Sequence, residues 1–489
     1  MVKVLLANPP WRREGRLGVR AGSRWAFTIP AGKGATIPPY VPFPFFLAYS
    51  AAVLEQAGAD VQLVDAIAEG MDPASFLESI ADFRPSLVLL ETSTPSIDSD
   101  LALGRDIKDR LPAARLALSG PHVSALPVDT LQGAPYVDLV LIGEYEYTLR
   151  DLVACLAAGG DLGRVLGLAW READAQGAVR VNPRRPVIAN LDELPWPARH
   201  LLPMRSYRDS FAGLPMPGLQ MWASRGCPFG CIFCVWPKVM YGGQAYRVRD
   251  PVDVADEMEQ TAKRYDLCSV SFDDDTFDIG KSRILRLCSE IQRRGLELPW
   301  TAMARADTAD REMIEAMAGA GLFAIKYGVE SGVQGLVSAA GKSLDLDRVK
   351  ETVHITKDLG VKVHLTFTLG LPGENKDTIG QTLEFASQVA PDSVQFSIAT
   401  PYPGTTYYDM AKTGGMLVAK DWTDFDGADR ATVRTEAMSP EELEAALSHA
   451  RRTWRWRQFR QNAWKRKGYY LRQGLKNPRL AIEFLRGRL

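Results

Sequence analysis

Cysteine and histidine are scarce in this chain of 489 residues, which contains six cysteines and five histidines. So few cysteines do not form a disulfide-stabilised secreted scaffold. Neither sign of charge is in excess, because 58 basic and 59 acidic residues give a net charge of −1, which argues against a generic nucleic-acid-binding protein. An apolar content of 46% and a charged content of 24% are typical of globular proteins, and the length predicts two or three domains.

Long apolar runs are also missing. The most apolar stretch, 41–54, is interrupted by Pro42 and Pro44 and is too short to span a bilayer. The first residues, Met-Val-Lys-Val-Leu-Leu, lack the layout of a secretion signal. Together with the low cysteine content, these features predict a cytoplasmic protein.

Residues 1–160 alternate short apolar runs with amphipathic stretches. The runs are 2–6, 61–64, 87–90, 115–118 and 139–142. Such runs are typical of buried parallel strands, so a doubly wound, Rossmann-like α/β domain is predicted. Ligands of such sheets bind at the carboxyl ends of the strands. No Gly-rich phosphate-binding fingerprint follows the first run, so a dinucleotide is not expected.

The rest of the chain divides into three further regions. Residues 161–210 predict a β-hairpin and then a proline-rich linker. Residues 211–430 resume the alternation with six βα units, which predicts a partial (β/α)6 barrel of the TIM type. Residues 431–489 predict a helical tail that begins at Ser439-Pro-Glu-Glu.

Three cysteines crowd into one turn-rich stretch with the spacing Cys-x3-Cys-x2-Cys: Cys227, Cys231 and Cys234. The intervening Gly and Pro exclude a regular helix. A closed zinc site or a self-contained cluster needs four protein ligands, whereas a [4Fe-4S] cluster held by three cysteines leaves one iron open for a small molecule. A zinc loop with a distant fourth ligand is the alternative.

This spacing, with Phe233 directly before the last cysteine, resembles the radical S-adenosylmethionine (SAM) superfamily. The resemblance implies that the open iron binds SAM and that Phe233 lies beside the adenine. It implies further SAM contacts at the strand ends of the barrel, from Asp273, Asp274, Asp275, Arg305, Glu330, Ser331, Gly370, Pro372 and Gly373. The Asp run replaces the usual Gly-Gly-Glu and would receive the SAM amino group, with a metal or helix-cap cluster as the alternative.

Two motifs of the first domain, Gly-Pro-His and Gly-Glu-x-Glu, resemble the cobalamin-binding domain that precedes many radical SAM barrels. The resemblance implies cobalamin contacts from Pro9, Pro10, Thr92, Ser93, Thr94, Gly120, Pro121, His122, Gly143, Glu144 and Glu146. The Asp-x-His-x-x-Gly of the methionine-synthase type is absent, so His122 is expected to contact its loop or the corrin side chains, with cobalt ligation as the alternative. A degenerate domain that binds nothing is the other alternative.

Period-two alternation places polar side chains on the inner face of the last three predicted strands: Lys326, His364, Thr366, Gln395 and Ser397. A purely structural barrel fills its lumen with branched apolar side chains. The sequence therefore predicts a substrate cavity.

Basic and aromatic residues are interleaved in 451–489, with thirteen Lys or Arg against the single acid Glu483. The pattern suits a helix packed on the barrel with a solvated basic face, or peripheral contact with the inner membrane surface. Nucleic acid is the least expected partner.

Unactivated carbons are functionalised by cofactors and not by side-chain acid–base chemistry. The resemblance implies a [4Fe-4S] cluster, SAM and cobalamin, and it predicts a C-methyltransferase that uses a 5′-deoxyadenosyl radical and methylcobalamin. The expected partners are a small-molecule or lipid-like substrate and an electron donor such as flavodoxin or ferredoxin. A cyclase, oxidase or rearrangement enzyme with the same cofactors is one alternative, and a non-catalytic sensor is a remote one.

Overall fold

The structure is a computed structural model that describes residues 2–20, 26–172, 178–209, 211–427 and 429–465. The first part of the chain forms β1 (Lys3–Asn8), β2 (Arg12–Arg13), β3 (Arg16–Val19), β4 (Phe27–Pro30), α1 (Phe45–Gln56), β5 (Asp60–Asp65), α2 (Pro73–Ala81), β6 (Leu87–Glu91), α3 (Ile97–Arg110), β7 (Arg115–Ser119), α4 (Pro121–Ala125), α5 (Pro127–Gly133), β8 (Leu139–Leu141), α6 (Glu146–Ala158), β9 (Leu168–Arg171) and β10 (Val179–Val181).

Seven of these strands form one sheet in the order β10-β9-β8-β7-β6-β1-β5. Strands β8, β7, β6, β1 and β5 are parallel to one another, and β9 and β10 add an antiparallel edge. The predicted doubly wound α/β domain is confirmed. The hairpin expected within 161–210 pairs with β8, so the first sheet extends to Val181. Strands β2, β3 and β4 form a small separate sheet.

The second domain contains β11 (Leu219–Met221), β12 (Ser224–Arg225), β13 (Arg247–Val248), α7 (Pro251–Tyr265), β14 (Val270–Phe272), α8 (Lys281–Arg293), β15 (Trp300–Ala304), α9 (Arg311–Gly319), β16 (Leu322–Glu330), α10 (Gln334–Ala339), α11 (Leu346–Asp358), β17 (Lys362–Leu369), α12 (Lys376–Val389), β18 (Ser393–Ile398), α13 (Thr406–Thr413) and α14 (Pro440–Lys465). Six parallel strands, in the order β11-β14-β15-β16-β17-β18, form the partial barrel that the sequence predicts.

Helix α1 joins the two domains. Its residues 45–54 are all buried, which explains why this stretch is the most apolar of the chain. Phe45 stacks on Trp222 with a ring separation of 4.1 Å, and Phe46 stacks on Trp236 at 5.3 Å. The aromatic contacts place the segment around the cysteine loop directly against the first domain.

The C-terminal helix α14 packs on the barrel. Trp454 is buried, and the Arg451 guanidinium donates to the carbonyl of Phe396 in β18. The basic tail that follows, 466–489, lies outside the described residues. Among the helices of the described ranges, not one has the length and apolar character required to cross a bilayer.

Candidate active site between the two domains

The cysteine loop follows β12, which pairs antiparallel with β13. Gly226 begins the loop at φ +88°, and a Cβ there would lie 1.8 Å from the carbonyl oxygen of Ala245, so only glycine fits. All three cysteines are half-buried thiols outside any disulfide, and Cys227 Sγ lies 3.3 Å from the hydroxyl of Thr276.

The three thiols suit a cluster better than a single metal ion. In the part of the chain that the structure describes, no three His, Cys, Asp or Glu side chains converge closely enough to hold one ion. A [4Fe-4S] cluster would offer each of the three cysteines a separate iron, whereas a closed zinc site would need a fourth protein ligand beside them. Burial raises the pKa of the Cys231 thiol against the opposing charge of Lys342.

The aspartate run holds the backbone that leads into the cysteine loop. The Asp274 carboxylate is fully buried and accepts from the backbone N–H of Ala223 at 2.8 Å, and Asp275 accepts from that of Gly226 at 2.9 Å. Burial raises the pKa of Asp274 to about 6. One oxygen of Asp274 is thus bound to the backbone, and contact of Asp273, Asp274 and Asp275 with the SAM amino group stays a prediction.

Glu330 lies at an irregularity of the β16–β17 pairing, at φ +73°. Its carboxylate accepts from Lys342 Nζ at 2.6 Å and from the Thr368 hydroxyl at 2.8 Å, and the buried Ser331 follows it. Lys342 is a site residue that the sequence analysis missed. It lies in a loop after α10, where no motif marks it.

Arg305 anchors the cysteine loop. Its guanidinium lies 3.6 Å above the ring of Phe229, which is part of that loop, and it pairs with Asp307 through two hydrogen bonds of 2.8 and 2.9 Å. It also donates to the Lys342 carbonyl. The predicted contact with the SAM carboxylate stays a prediction, because Arg305 already has these partners.

The Gly-Leu-Pro-Gly turn and Phe233 come together as expected. Gly370 and Gly373 take φ values of +88° and +84°, Pro372 is half-buried, and the Glu374 carboxylate accepts from the Gly370 N–H at 2.7 Å. Phe233 packs in one apolar cluster with the leucine of this turn. Phe233 and this turn thus pack together beside the cysteine loop, and their contact with adenine stays a prediction.

A narrow cleft with a cavity volume of about 20 Å³ lies between the first sheet and the segment after the last cysteine. Its lining residues are Ala26, Glu91, Thr92, Ser93, Thr94, Pro95, Pro121, Val235, Trp236, Tyr402 and Pro403. Four of the predicted cobalamin contacts, Thr92, Ser93, Thr94 and Pro121, are therefore in its wall. Glu91 is an addition: burial raises its pKa to about 7, and it accepts from the Tyr145 hydroxyl at 2.6 Å.

The other predicted cobalamin residues of the loops are not in this wall. Pro9 and Pro10 are buried after β1, where the Pro9 carbonyl accepts from Arg20. Gly120 and Gly143 both take positive φ, +105° and +74°. Their contact with cobalamin stays a prediction.

His122 is buried beneath Trp422, with the two rings 4.8 Å apart. Its Nδ1 lies 3.3 Å from the hydroxyl of Thr94, and burial lowers its pKa to about 4, so the imidazole is neutral. This packing matches a loop contact, and ligation of cobalt by His122 stays an untested alternative.

Glu144 and Glu146, the acids of the Gly-Glu-x-Glu motif, bind arginines of the second domain. Arg225 Nη1 lies 2.7 Å from a carboxylate oxygen of each, and Arg247 Nη1 lies 2.7 Å from the other oxygen of Glu144. All four side chains are buried. The guanidinium of Arg225 also faces the rings of Phe46, Tyr49 and Trp222.

This network, the interdomain latch, comprises Glu144, Glu146, Arg225 and Arg247. Burial raises the pKa of Glu146 above its ordinary value although Arg225 opposes it, whereas Arg225 and Arg247 outweigh burial and hold the pKa of Glu144 below its ordinary value. Glu144 and Glu146, the two carboxylates predicted to contact cobalamin, thus fix the position of Arg225, which lies two residues before Cys227.

The five predicted cavity residues lie on the inner face of the barrel. Lys326 is the register partner of His364, and Thr366 is the partner of Gln395. Ser397 lies two residues further along β18. The structure brings these side chains together, and their contact with a substrate stays a prediction.

Comparison with known proteins identifies the family. The sequence matches the B12 binding domain over residues 38–153 and the Radical SAM superfamily over residues 223–386. An uncharacterized methyltransferase of Pyrococcus horikoshii is 31% identical over 386 residues, which are 79% of this chain and 82% of that protein. The chain belongs to the cobalamin-binding radical SAM enzymes.

This radical SAM enzyme is also similar to the anaerobic magnesium-protoporphyrin IX monomethyl ester cyclase of Rubrivivax gelatinosus, with 27% identity over 376 residues, 74% of this chain and 64% of that protein. The solved structure of the cobalamin-dependent SAM radical enzyme OxsB, with aqua-cobalamin and SAM bound, matches with a TM-score of 0.71 at 18% identity, over 93% of this chain and 66% of that chain. The predicted family, fold and cofactors are confirmed: a [4Fe-4S] cluster, SAM and cobalamin.

Proposed function

We propose that this radical SAM enzyme is a C-methyltransferase that acts on an unactivated carbon of a small molecule. The observation that supports the proposal most directly is the cleft whose two walls come from the two cofactor domains. One wall is Thr92–Pro95 of the first sheet, and the other is Trp236, two residues after Cys234. The similarity to a methyltransferase of Pyrococcus horikoshii supports the reaction type.

When bound, the cofactors supply a hydrogen-abstracting radical and a methyl group. Overall, one SAM is cleaved to 5′-deoxyadenosine and methionine, a second SAM gives S-adenosylhomocysteine, and two electrons from a donor such as flavodoxin or ferredoxin balance the exchange of a substrate hydrogen for methyl.

The residues of this chain bind, orient and exclude water. The cysteines hold the cluster, and Arg305 fixes the loop through Phe229. The buried ion pair between Lys342 and Glu330 lies beside the same loop and would orient the polar end of SAM. Trp236 and Tyr402, both buried, shield the cleft from solvent.

The test is anaerobic reconstitution with iron, sulfide and cobalamin, followed by addition of methyl-labelled SAM and a low-potential reductant without substrate. We expect labelled methyl on cobalamin together with 5′-deoxyadenosine, both detected by mass spectrometry. The Cys231→Ser variant is the control and should give no 5′-deoxyadenosine. Cobalamin that binds without becoming labelled would overturn the methyltransferase proposal.

The second candidate function keeps the cofactors and performs cyclisation, oxidation or rearrangement, as the similarity to the Rubrivivax cyclase suggests. This candidate predicts 5′-deoxyadenosine without labelled methyl on cobalamin, so the same experiment separates the two.

Contact of the basic tail with the inner membrane surface is a further proposal. Its test is liposome sedimentation of the full chain against a deletion of 466–489, which leaves the buried Trp454 of α14 in place. Equal sedimentation of the two proteins on anionic liposomes would refute it.

A further inference from the structure

We infer that the substrate of this enzyme carries an anionic group, a carboxylate or a phosphate, which binds Lys326 near the floor of the barrel. The inference rests on the proposed function, because it takes the lumen to be the substrate site. It goes further by naming the chemical class of the substrate.

Lys326 points into the lumen. It is the fifth residue of β16, and its neighbours Ile325 and Tyr327 are buried on the opposite face of the strand. There the Tyr327 hydroxyl lies 3.3 Å from that of Thr356, a residue of α11. The side chains of Ile325 and Tyr327 therefore face the helix layer, and that of Lys326 faces the lumen.

The ammonium of Lys326 has no acidic partner. Within the described ranges, the contact found for Nζ is the ring of Phe211, whose centroid is 5.0 Å away, and no carboxylate lies within the 4.0 Å of an ion pair. Of the other cations near the lumen, Lys342 binds Glu330 and Arg305 binds Asp307, whereas Lys362 donates to the Ala212 carbonyl. Lys326 is therefore available to an anion.

The surroundings of Lys326 are polar and unsatisfied. His364, its register partner on β17, bonds through Nδ1 to the Ser393 hydroxyl at 2.8 Å, whereas its Nε2 is buried and has no hydrogen-bond partner among the described residues. Burial and the charge of Lys326 lower the pKa of His364 to about 3, so its imidazole is neutral and adds no competing charge.

The carboxylate that faces this floor is engaged elsewhere. Asp209 accepts from the Ser271 hydroxyl at 3.1 Å and from the backbone N–H of Phe211 at 3.3 Å. A wholly apolar substrate would bury the Lys326 ammonium and the His364 Nε2 without partners, which is unfavourable. A carboxylate or phosphate would give the Lys326 ammonium a charge-assisted hydrogen bond.

The distance along β16 limits the size of the substrate. Gly328 makes room for the Lys342–Glu330 pair above Lys326, because a Cβ there would lie 2.8 Å from the Glu330 carboxylate and 2.9 Å from the Lys342 ammonium. Glu330 is four positions after Lys326, which corresponds to about 13 Å of strand. The anionic group of the substrate is therefore expected within about 13 Å of Glu330 and the SAM site. A small metabolite spans such a distance.

The experiment measures anion binding to the reconstituted holoenzyme by equilibrium dialysis of labelled inorganic phosphate, with acetate and neutral acetamide as competitors. We expect Lys326→Met to weaken phosphate binding by about ten-fold or more, since a hydrogen bond to a charged group is lost. Lys326→Arg should retain most of the binding. Lys362→Met is the matched control, because Lys362 is on the adjacent strand but donates to the Ala212 carbonyl.

Acetate competition that acetamide does not reproduce would indicate a carboxylate-compatible site, and competition by neither would indicate phosphate. Equal phosphate binding by the wild type, Lys326→Met and Lys362→Met would overturn the inference, and so would a loss confined to Lys362→Met. If Lys326→Met does not fold, the wild type against Lys326→Arg and Lys326→Gln decides it. Labelling of cobalamin by SAM is measured separately on the wild type, so failure of the proposed function leaves the anion result readable.

Discussion

Removing the arginine of the interdomain latch tests the coupling between the two domains. In Arg225→Met, Glu146 stays buried without a cation, whereas Glu144 keeps Arg247. Breaking a buried ion pair from one side costs about 3–5 kcal/mol, because an uncompensated charge remains. We expect a loss of that size in the free energy of unfolding, measured by urea denaturation.

The pH dependence of this loss follows from the burial of Glu146. Without Arg225, its pKa in the folded protein lies further above that of the unfolded chain, so stability is present at low pH and is lost as the pH rises through the folded pKa. The difference between variant and wild type should therefore grow as the pH rises.

A double-mutant cycle and a surface control complete the experiment. Glu146→Gln removes the stranded charge, so the cycle with Arg225→Met should show a coupling of about 0.5–3 kcal/mol. Arg150→Met removes an exposed pair with Asp151 and should change stability by less than about 1 kcal/mol. A loss below about 1 kcal/mol for Arg225→Met, independent of pH, would refute the reasoning.

Three further predictions concern the cofactor sites. Replacing any one of the three cluster cysteines with serine should abolish the visible absorption of the reconstituted cluster, whereas the buried Cys288 should tolerate serine. Gly226→Ala should prevent cluster incorporation, because its Cβ would lie 1.8 Å from the Ala245 carbonyl, whereas Gly243→Ala meets nothing within 4 Å. Burial raises the pKa of Glu91 to about 7, so Glu91 contributes stability at low pH that is lost as the pH rises through about 7. The melting temperature of Glu91→Gln should therefore rise relative to that of the wild type between about pH 5 and pH 8.5.

The sequence predicted what depends on local pattern. Apolar runs located the strands of the first sheet because a strand buried on both faces needs no alternation. In β17 the alternation is visible in the structure: Leu365 and Phe367 are fully buried, and His364 and Thr366 face the lumen half-buried. The Cys-x3-Cys-x2-Cys spacing located the cluster loop because all its ligands lie within eight residues.

Partners that lie far apart in the sequence could not be predicted. Arg225 and Glu144 are 81 residues apart and in different domains, and the sequence around either residue contains no pattern that predicts the pairing. Lys342 reaches Glu330 from a loop that no pattern marks, and Trp422 covers His122 from the far end of the chain. Ion pairs and ring contacts of this kind are fixed by the tertiary fold and not by local spacing.

The latch also explains why the Gly-Glu-x-Glu motif can be read as a ligand site from sequence alone. Its acids follow β8 at the carboxyl edge of the sheet, where ligands of such domains bind, and they pair with Arg225 and Arg247 of the second domain, while their contact with cobalamin stays a prediction. Arg225 precedes Gly226 and Cys227, so the same contact that closes the two domains onto one another also sets the start of the cluster loop. Loosening the latch should therefore impair both cofactor sites together.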